Sequence, residues 1–240
     1  MKKYGLVVAD EREAVFNYFR EVKNLEFKDF EVYLYEGSAY SVYVLFCGPG
    51  EVQAASGTQH LIDKYGVEAI FNLGVVGGID EELKTGDVVV VSSVVPYQYD
   101  LSPLGYEVAT LPDHLQDYIT PTDNELFNVI DELRFSKGLQ VSFAKCASGD
   151  KFLEAEEKAL VQEKFGAQIC DMESYGIIYT SNLNNVPCFL IKAVSDSSND
   201  GAEMYRKMLK SASMRCADIL AQMIYYYHFH NFVYSFWDDK

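Results

Sequence analysis

A single three-layer α/β/α domain with a central mixed, mainly parallel sheet is the architecture this chain of 240 residues predicts. Two observations lead there. Short apolar or β-branched runs alternate with helical stretches along nearly the whole chain, and glycine- or serine-rich segments follow several of the strand-like runs. Such alternation builds a sheet covered by helices on both faces, with ligands bound beyond the carboxyl ends of the strands.

Residues 5–9 (GLVVA) read as a buried strand, and the charged run Asp10-Glu11-Arg12-Glu13 opens a helix reaching Val22. Residues 31–35 (EVYLY) and 40–47 (YSVYVLFC) read as strands turned at Glu36-Gly37-Ser38; Gly48-Pro49-Gly50 then breaks the chain before a helix through Tyr65. Val67 to Leu73 forms a strand that runs out into Gly74-Val75-Val76-Gly77-Gly78, a loop whose glycines permit close approach of backbone to a ligand. After Thr85-Gly86-Asp87 comes the β-branched run Val88 to Val95, then an irregular stretch from Pro96 to Pro121, long enough to suggest a functional loop or a cover for a partner subunit. Residues 124–135 read as helix, 140–148 as strand and 154–165 as helix. The apolar run Val186 to Val194 is a strand ending in Ser195-Asp196-Ser197-Ser198, and Ala202 to Tyr227 gives the final helix. One domain therefore spans residues 1–227, and residues 228–240 form an aromatic C-terminal tail.

Charge narrows the class of ligand. With 36 acidic against 20 basic side chains the net charge is -16, so a nucleic-acid partner or an anionic membrane surface is excluded and a small molecule is expected. A hydrophobic content of 49% with only 23% charged residues is enough for a full core rather than a disordered chain. The five cysteines lack C-x-x-C or C-x-x-H spacing, which suggests neither a disulfide framework nor a zinc site. The four-residue apolar run near the N-terminus is too short for a signal-peptide core, so a cytoplasmic location is expected. Neither G-x-G-x-x-G nor the G-x-x-x-x-G-K-[ST] phosphate loop is present, and no histidine has zincin spacing; no cofactor and no metal are expected.

Three acidic positions stand out. Asp196 sits where a strand emerges at the crevice, which suits a catalytic acid as well as an Asx-turn or helix-cap residue. Asp171-Met172-Glu173 lies among apolar residues, where a carboxylate either accepts two sugar hydroxyls or opens a solvated helical turn. Glu13 belongs to a charged run of the kind that usually starts a solvated helix.

Taken in order, GLVVA with Glu13, FNLGVVGGI with LKTGDVVV, SGDKF, DMES and AVSDS resemble the purine nucleoside phosphorylase and nucleosidase superfamily, and within it the 5′-methylthioadenosine/S-adenosylhomocysteine nucleosidases. The resemblance covers about residues 5–222 and implies a nucleoside phosphorylase-like fold. It implies hydrolysis of the N-glycosidic bond of a 5′-substituted adenosine with release of adenine; the alternatives are a phosphate-dependent phosphorylase and a nucleoside-binding protein with little turnover. Asp196 would protonate purine N7 and Glu13 would activate the attacking water. Glu173 would hold the ribose hydroxyls with Met172 against the sugar; Phe152 would stack on the base and Leu153 would read its edge through the backbone. Val75 and Ser195 complete the implied substrate-binding set, and Met204 and Tyr205 would wall the 5′ pocket. Leu101, Leu104 and Tyr106 match the loop by which a second subunit closes the site, which implies a homodimer. Three positions depart from the nucleosidase pattern: Val75 replaces a serine, Val8 a glycine and Lys192 an arginine, all near the expected water site.

Overall fold

The computed structural model describes residues 1–26, 28–111, 124–137 and 140–238. In chain order the elements are β1 Lys2–Val8, α1 Arg12–Tyr18, β2 Lys23–Glu26, β3 Glu31–Glu36, β4 Tyr40–Phe46, α2 Glu51–His60, β5 Ala69–Gly78 and β6 Val88–Pro96. They continue with α3 Asn124–Lys137, β7 Ser142–Ser148, α4 Ala155–Phe165, β8 Ile169–Asp171, α5 Ser174–Leu183, β9 Cys188–Asp196 and α6 Ala202–Asp238. A π-helical turn, Leu61–Tyr65, prolongs α2.

The mixed sheet follows from the length of the connections. β1, β4, β5 and β9 are joined through helices and pair in parallel, whereas the short turns β2–β3 and β3–β4 make antiparallel pairs. β9 also pairs antiparallel with β6, β6 and β7 pair in parallel, as do β7 and β8, and β8 returns antiparallel to β5. Strands β5, β9, β6, β7 and β8 thus close on themselves, which leaves β9 buried along its entire length.

Side-chain alternation along the strands assigns the two outer layers. Leu6 and Val8 of β1, with Phe189 and Ile191 of β9, pack with residues of α1, α3 and α6. Val7 and the β9 residues Leu190 and Val194 face the other way, onto Ala54 of α2 and Ile177 and Ile178 of α5. Phe189 is fully buried, and truncation to Ala would cost about 3–5 kcal/mol through lost transfer energy and the cavity left behind.

Several expectations need correction. The first helix stops at Tyr18 rather than Val22, because residues 23–26 turn outward as the edge strand β2. Gly74 to Gly78 is not a loop: it is the end of β5, held between β9 and β8. The three-residue β8 follows α4 and had no signal in the sequence. The part of the expected long loop from residue 112 onward lies outside the described residues; its first part contains a 3-10 turn, Ser102–Leu104. α6 runs through residue 227 without a break, and His228 packs within it against Tyr4 and Tyr40, with Tyr4 Oη 3.2 Å from His228 Nδ1.

Candidate active site

The carboxyl ends of β1, β5 and β9 lie side by side, and a cleft opens beyond them. Register delivers Asp196 to it. Val76 pairs with Val194 but Gly77 pairs with Asp196, so Ser195 is one residue too many and forms a bulge. A bulge of this kind re-aims the side chain that follows it. Ser195 Oγ is buried at 3.1 Å from the Val76 carbonyl oxygen and 2.7 Å from Asp196 Oδ1, and the second carboxylate oxygen, Oδ2, accepts from Lys158 Nζ at 2.5 Å.

Glu173 enters from the junction of β8 and α5, opposite the start of α2. Gly50 directs its N–H at Glu173 Oε1, 3.1 Å away, from a φ of 115°, a backbone conformation that glycine adopts without strain. Burial, and then the negative charge of Asp171, raise the Glu173 carboxyl to about 7. Asp171 itself is fixed: its Oδ2 lies 2.8 Å from Lys192 Nζ, both side chains being 1% exposed, and its Oδ1 accepts the Ser174 N–H that opens α5. Burial opposes the Asp171 charge, but Lys192 outweighs it and the carboxyl stays below its ordinary range. Burial likewise opposes the Lys192 charge; Asp171 and then Glu173 reverse the balance and hold the ammonium above the ordinary lysine value.

Of the residues the sequence singles out, Asp196, Glu173, Met172, Phe152, Leu153, Val75 and Tyr205 line the cleft. Phe152 and Tyr205 meet edge to face with ring centroids 5.5 Å apart at its mouth. Met204 is half-buried on the neighbouring turn and does not line it. Leu101, Leu104 and Tyr106 lie on a separate turn, with Leu104 72% and Tyr106 44% exposed.

Glu13 is placed elsewhere. It stands in the first turn of α1 on the outer surface, 69% exposed, with Oε1 2.5 Å from Lys210 Nζ of α6. The carboxyl at the expected water site is Glu11, one residue before the helix, whose Oε1 accepts the Val75 N–H at 3.3 Å and whose Oε2 accepts the Asp10 N–H at 3.1 Å. Burial raises its pKa, and backbone donors and Lys192 only partly offset this. The geometric reason is the short helix: β1 ends at Val8, α1 begins at Arg12, and two positions so close along a helix start do not share a face. The signal available was Lys192, a cation in the middle of an apolar strand that demands carboxylates from neighbouring segments.

An α/β/α scaffold with four carboxyl groups around one cleft, those of Glu11, Asp171, Glu173 and Asp196, suits work on a small polar ligand, and similarity defines the class. The model of the phosphorylase superfamily matches residues 3–225, and the chain belongs to that superfamily. It is 27% identical over 228 residues to a 5′-methylthioadenosine/S-adenosylhomocysteine nucleosidase of Desulfotalea psychrophila, an alignment covering 92% of this chain and 97% of the relative. It is 28% identical over 155 residues to an aminodeoxyfutalosine nucleosidase of Campylobacter jejuni, covering 64% of this chain and 67% of that one. Among solved structures, the nucleosidase of Neisseria meningitidis in complex with methylthio-immucillin-A superposes with a TM-score of 0.85 at 26% identity, over 93% of this chain and 99% of the other.

Proposed function

We propose that this protein is a purine nucleosidase that hydrolyses the N-glycosidic bond of 5′-methylthioadenosine, S-adenosylhomocysteine or a related 5′-substituted adenosine and releases adenine. The observation that carries the reading is the arrangement of carboxyls: Asp196 at the end of β9, Glu11 beyond β1 and Glu173 before α5, all lining one cleft with Phe152 at its edge. Asp196 donates a proton to purine N7 as the glycosidic electron pair moves into the base. Glu11, in the role the resemblance implied for Glu13, takes a proton from the water that attacks the anomeric carbon. Glu173 accepts the ribose hydroxyls and Met172 packs against the sugar. Phe152 stacks on the base, and the Leu153 backbone reads its edge. Val75 contributes its backbone N–H by fixing Glu11, and Ser195 holds Asp196.

Water rather than phosphate is the nucleophile because, among the described residues, the cleft offers a phosphate no uncommitted cation. Lys192 is paired with Asp171, Lys158 with Asp196, Lys151 with Glu157, and Arg12 with Asp10 and Glu31. The fitting assembly is a homodimer, in which Leu101, Leu104 and Tyr106 of a second copy cover the 5′ substituent with Met204 and Tyr205 behind it. The exposure of Leu104 and Tyr106 on an apolar turn supports this. Five unbridged, buried cysteines fit a reducing cytoplasm, and the reaction fits methionine salvage.

The test is adenine release from 5′-methylthioadenosine, S-adenosylhomocysteine, aminodeoxyfutalosine and adenosine in phosphate-free buffer. Release without phosphate is expected, and its ranking names the substrate. Release that depends on added phosphate would instead establish a phosphorylase.

A further inference from the structure

Lys158 is a buried charged side chain in contact with Asp196 to which the chemistry above gives no task. It reaches from the first turns of α4 to the end of β9 and is 1% exposed. Its Nζ lies 2.5 Å from Asp196 Oδ2, 3.0 Å from the Ser197 carbonyl and 3.4 Å from the Asp200 carbonyl, so all three ammonium protons have acceptors. Gly77 makes the approach possible: a Cβ there would stand 3.1 Å from Lys158 Cε and 2.8 Å from Cys170 Sγ. Burying a lysine costs free energy that a solvated surface position in Glu154 to Phe165 would not.

We propose that Lys158 is a positioning residue that acts through Asp196, holding its carboxylate in the cleft and supplying the proton that Asp196 passes to the leaving purine. The inference rests on the nucleosidase reading. The contact between Lys158 Nζ and Asp196 Oδ2 is the path along which a proton passes within the pair. As the bond between the anomeric carbon and the purine nitrogen breaks, its electron pair moves into the base and N7 becomes basic enough to take a proton from Asp196. Lys158 gives its own proton to Asp196 Oδ2 and is left a neutral amine. Ser195 allows both states of Asp196, since its single hydroxyl proton can turn either to the carboxylate or to the Val76 carbonyl oxygen. After the base departs, water entering the cleft recharges the amine through Asp196. The groups facing the pair are Cys170 from β8, Asp200 from the loop after β9 and Tyr205 from α6.

The experiment is the pH profile of kcat for adenine release at saturating substrate, for the wild type, Lys158→Gln and Lys158→Arg. With Lys158 in place Asp196 has a proton supply within the protein; without it Asp196 must draw the proton from solvent, which holds fewer as pH rises. The wild-type rate should therefore hold on the alkaline side and the Gln variant should fall as pH rises, so that its deficit widens at least 100-fold between about pH 5 and about pH 9. Arginine, which keeps the charge but gives up no proton, should not restore the rate at about pH 8. A deficit constant across pH, or rescue by arginine, overturns the proposal. So does a wild-type rate that already declines from about pH 6, a reading that does not depend on the variants folding. A wild type that releases no adenine from any of the four nucleosides overturns the substrate reading and this inference with it, which separates the two failures.

Discussion

Glu11 Oε1 accepts the backbone N–H of Val75 at 3.3 Å, while Glu13, two residues on, spends its carboxyl on Lys210 at the surface. A backbone donor holds the carboxyl at the proposed water site even though the serine usual at position 75 in the nucleosidase pattern is absent. The two glutamates therefore separate experimentally. Glu11→Gln should lower kcat by about 100-fold or more, the usual worth of a general base. Glu13→Gln, which loses only an exposed ion pair, should stay within about threefold of wild type. Steady-state rates on 5′-methylthioadenosine decide it, and the reverse ranking would return the role to Glu13.

Asp196→Asn keeps the shape of the acid but gives N7 no acidic proton. Turnover should fall by about 10²- to 10⁴-fold. Binding of a nucleoside analogue should persist, because Glu173, Phe152 and Leu153 remain. Calorimetric titration beside the rate assay separates the two quantities, and near wild-type turnover would remove Asp196 from the chemistry.

If Glu173 holds the ribose as proposed, it should carry the pH dependence of binding. Its carboxyl is raised from 4.5 to about 7, first by burial and then by Asp171. Between those values the folded chain keeps a proton that the unfolded chain has lost, so this residue makes stability fall as pH rises through the window. Substrate pulls the other way, since ribose hydroxyls donate to the ionised form. KM should therefore drop as pH climbs through about 7. Glu173→Gln should raise KM about tenfold and flatten that dependence, as loss of hydrogen bonds to a charged acceptor predicts. A KM that tracks pH equally in both proteins would place the titrating group elsewhere.

The strands and the place of Asp196 at a strand end were legible because each rests on a local pattern. Residues 186–194 are apolar throughout, as a strand flanked on both sides must be, and the following Ser195-Asp196 marks its crevice end. What escaped depends on distant segments. Residues 23–26 (KNLE) are polar because β2 is an edge, so no alternation announces them. Lys158 looks like one more charge in Glu156-Glu157-Lys158; only the gap above Gly77 shows that it turns inward. Glu11 and Glu13 are indistinguishable by composition, and the choice between them belongs to the angle at which α1 leaves β1.

The pair Lys192–Asp171 ties this site to the stability of the sheet. Asp171 is held below the ordinary aspartate value of 3.8 and Lys192 above the ordinary lysine value of 10.5. The Asp171 contribution is present above 3.8 and lost as pH falls through its lowered folded value; the Lys192 contribution is present below 10.5 and lost as pH rises through its raised one. Stability from the pair is thus constant across neutral pH. Lys192→Met leaves Asp171 buried without its counter-charge, which should cost about 3–5 kcal/mol. For a chain of this size that is a drop of about 10 °C in Tm by scanning calorimetry. Converting the partner too, in Lys192→Met/Asp171→Asn, should recover part of the loss, because no orphaned charge remains. A double variant no more stable than Lys192→Met would mean that Asp171 contributes chiefly through its bonds to Ser174 at the start of α5, and that Lys192 is secondary.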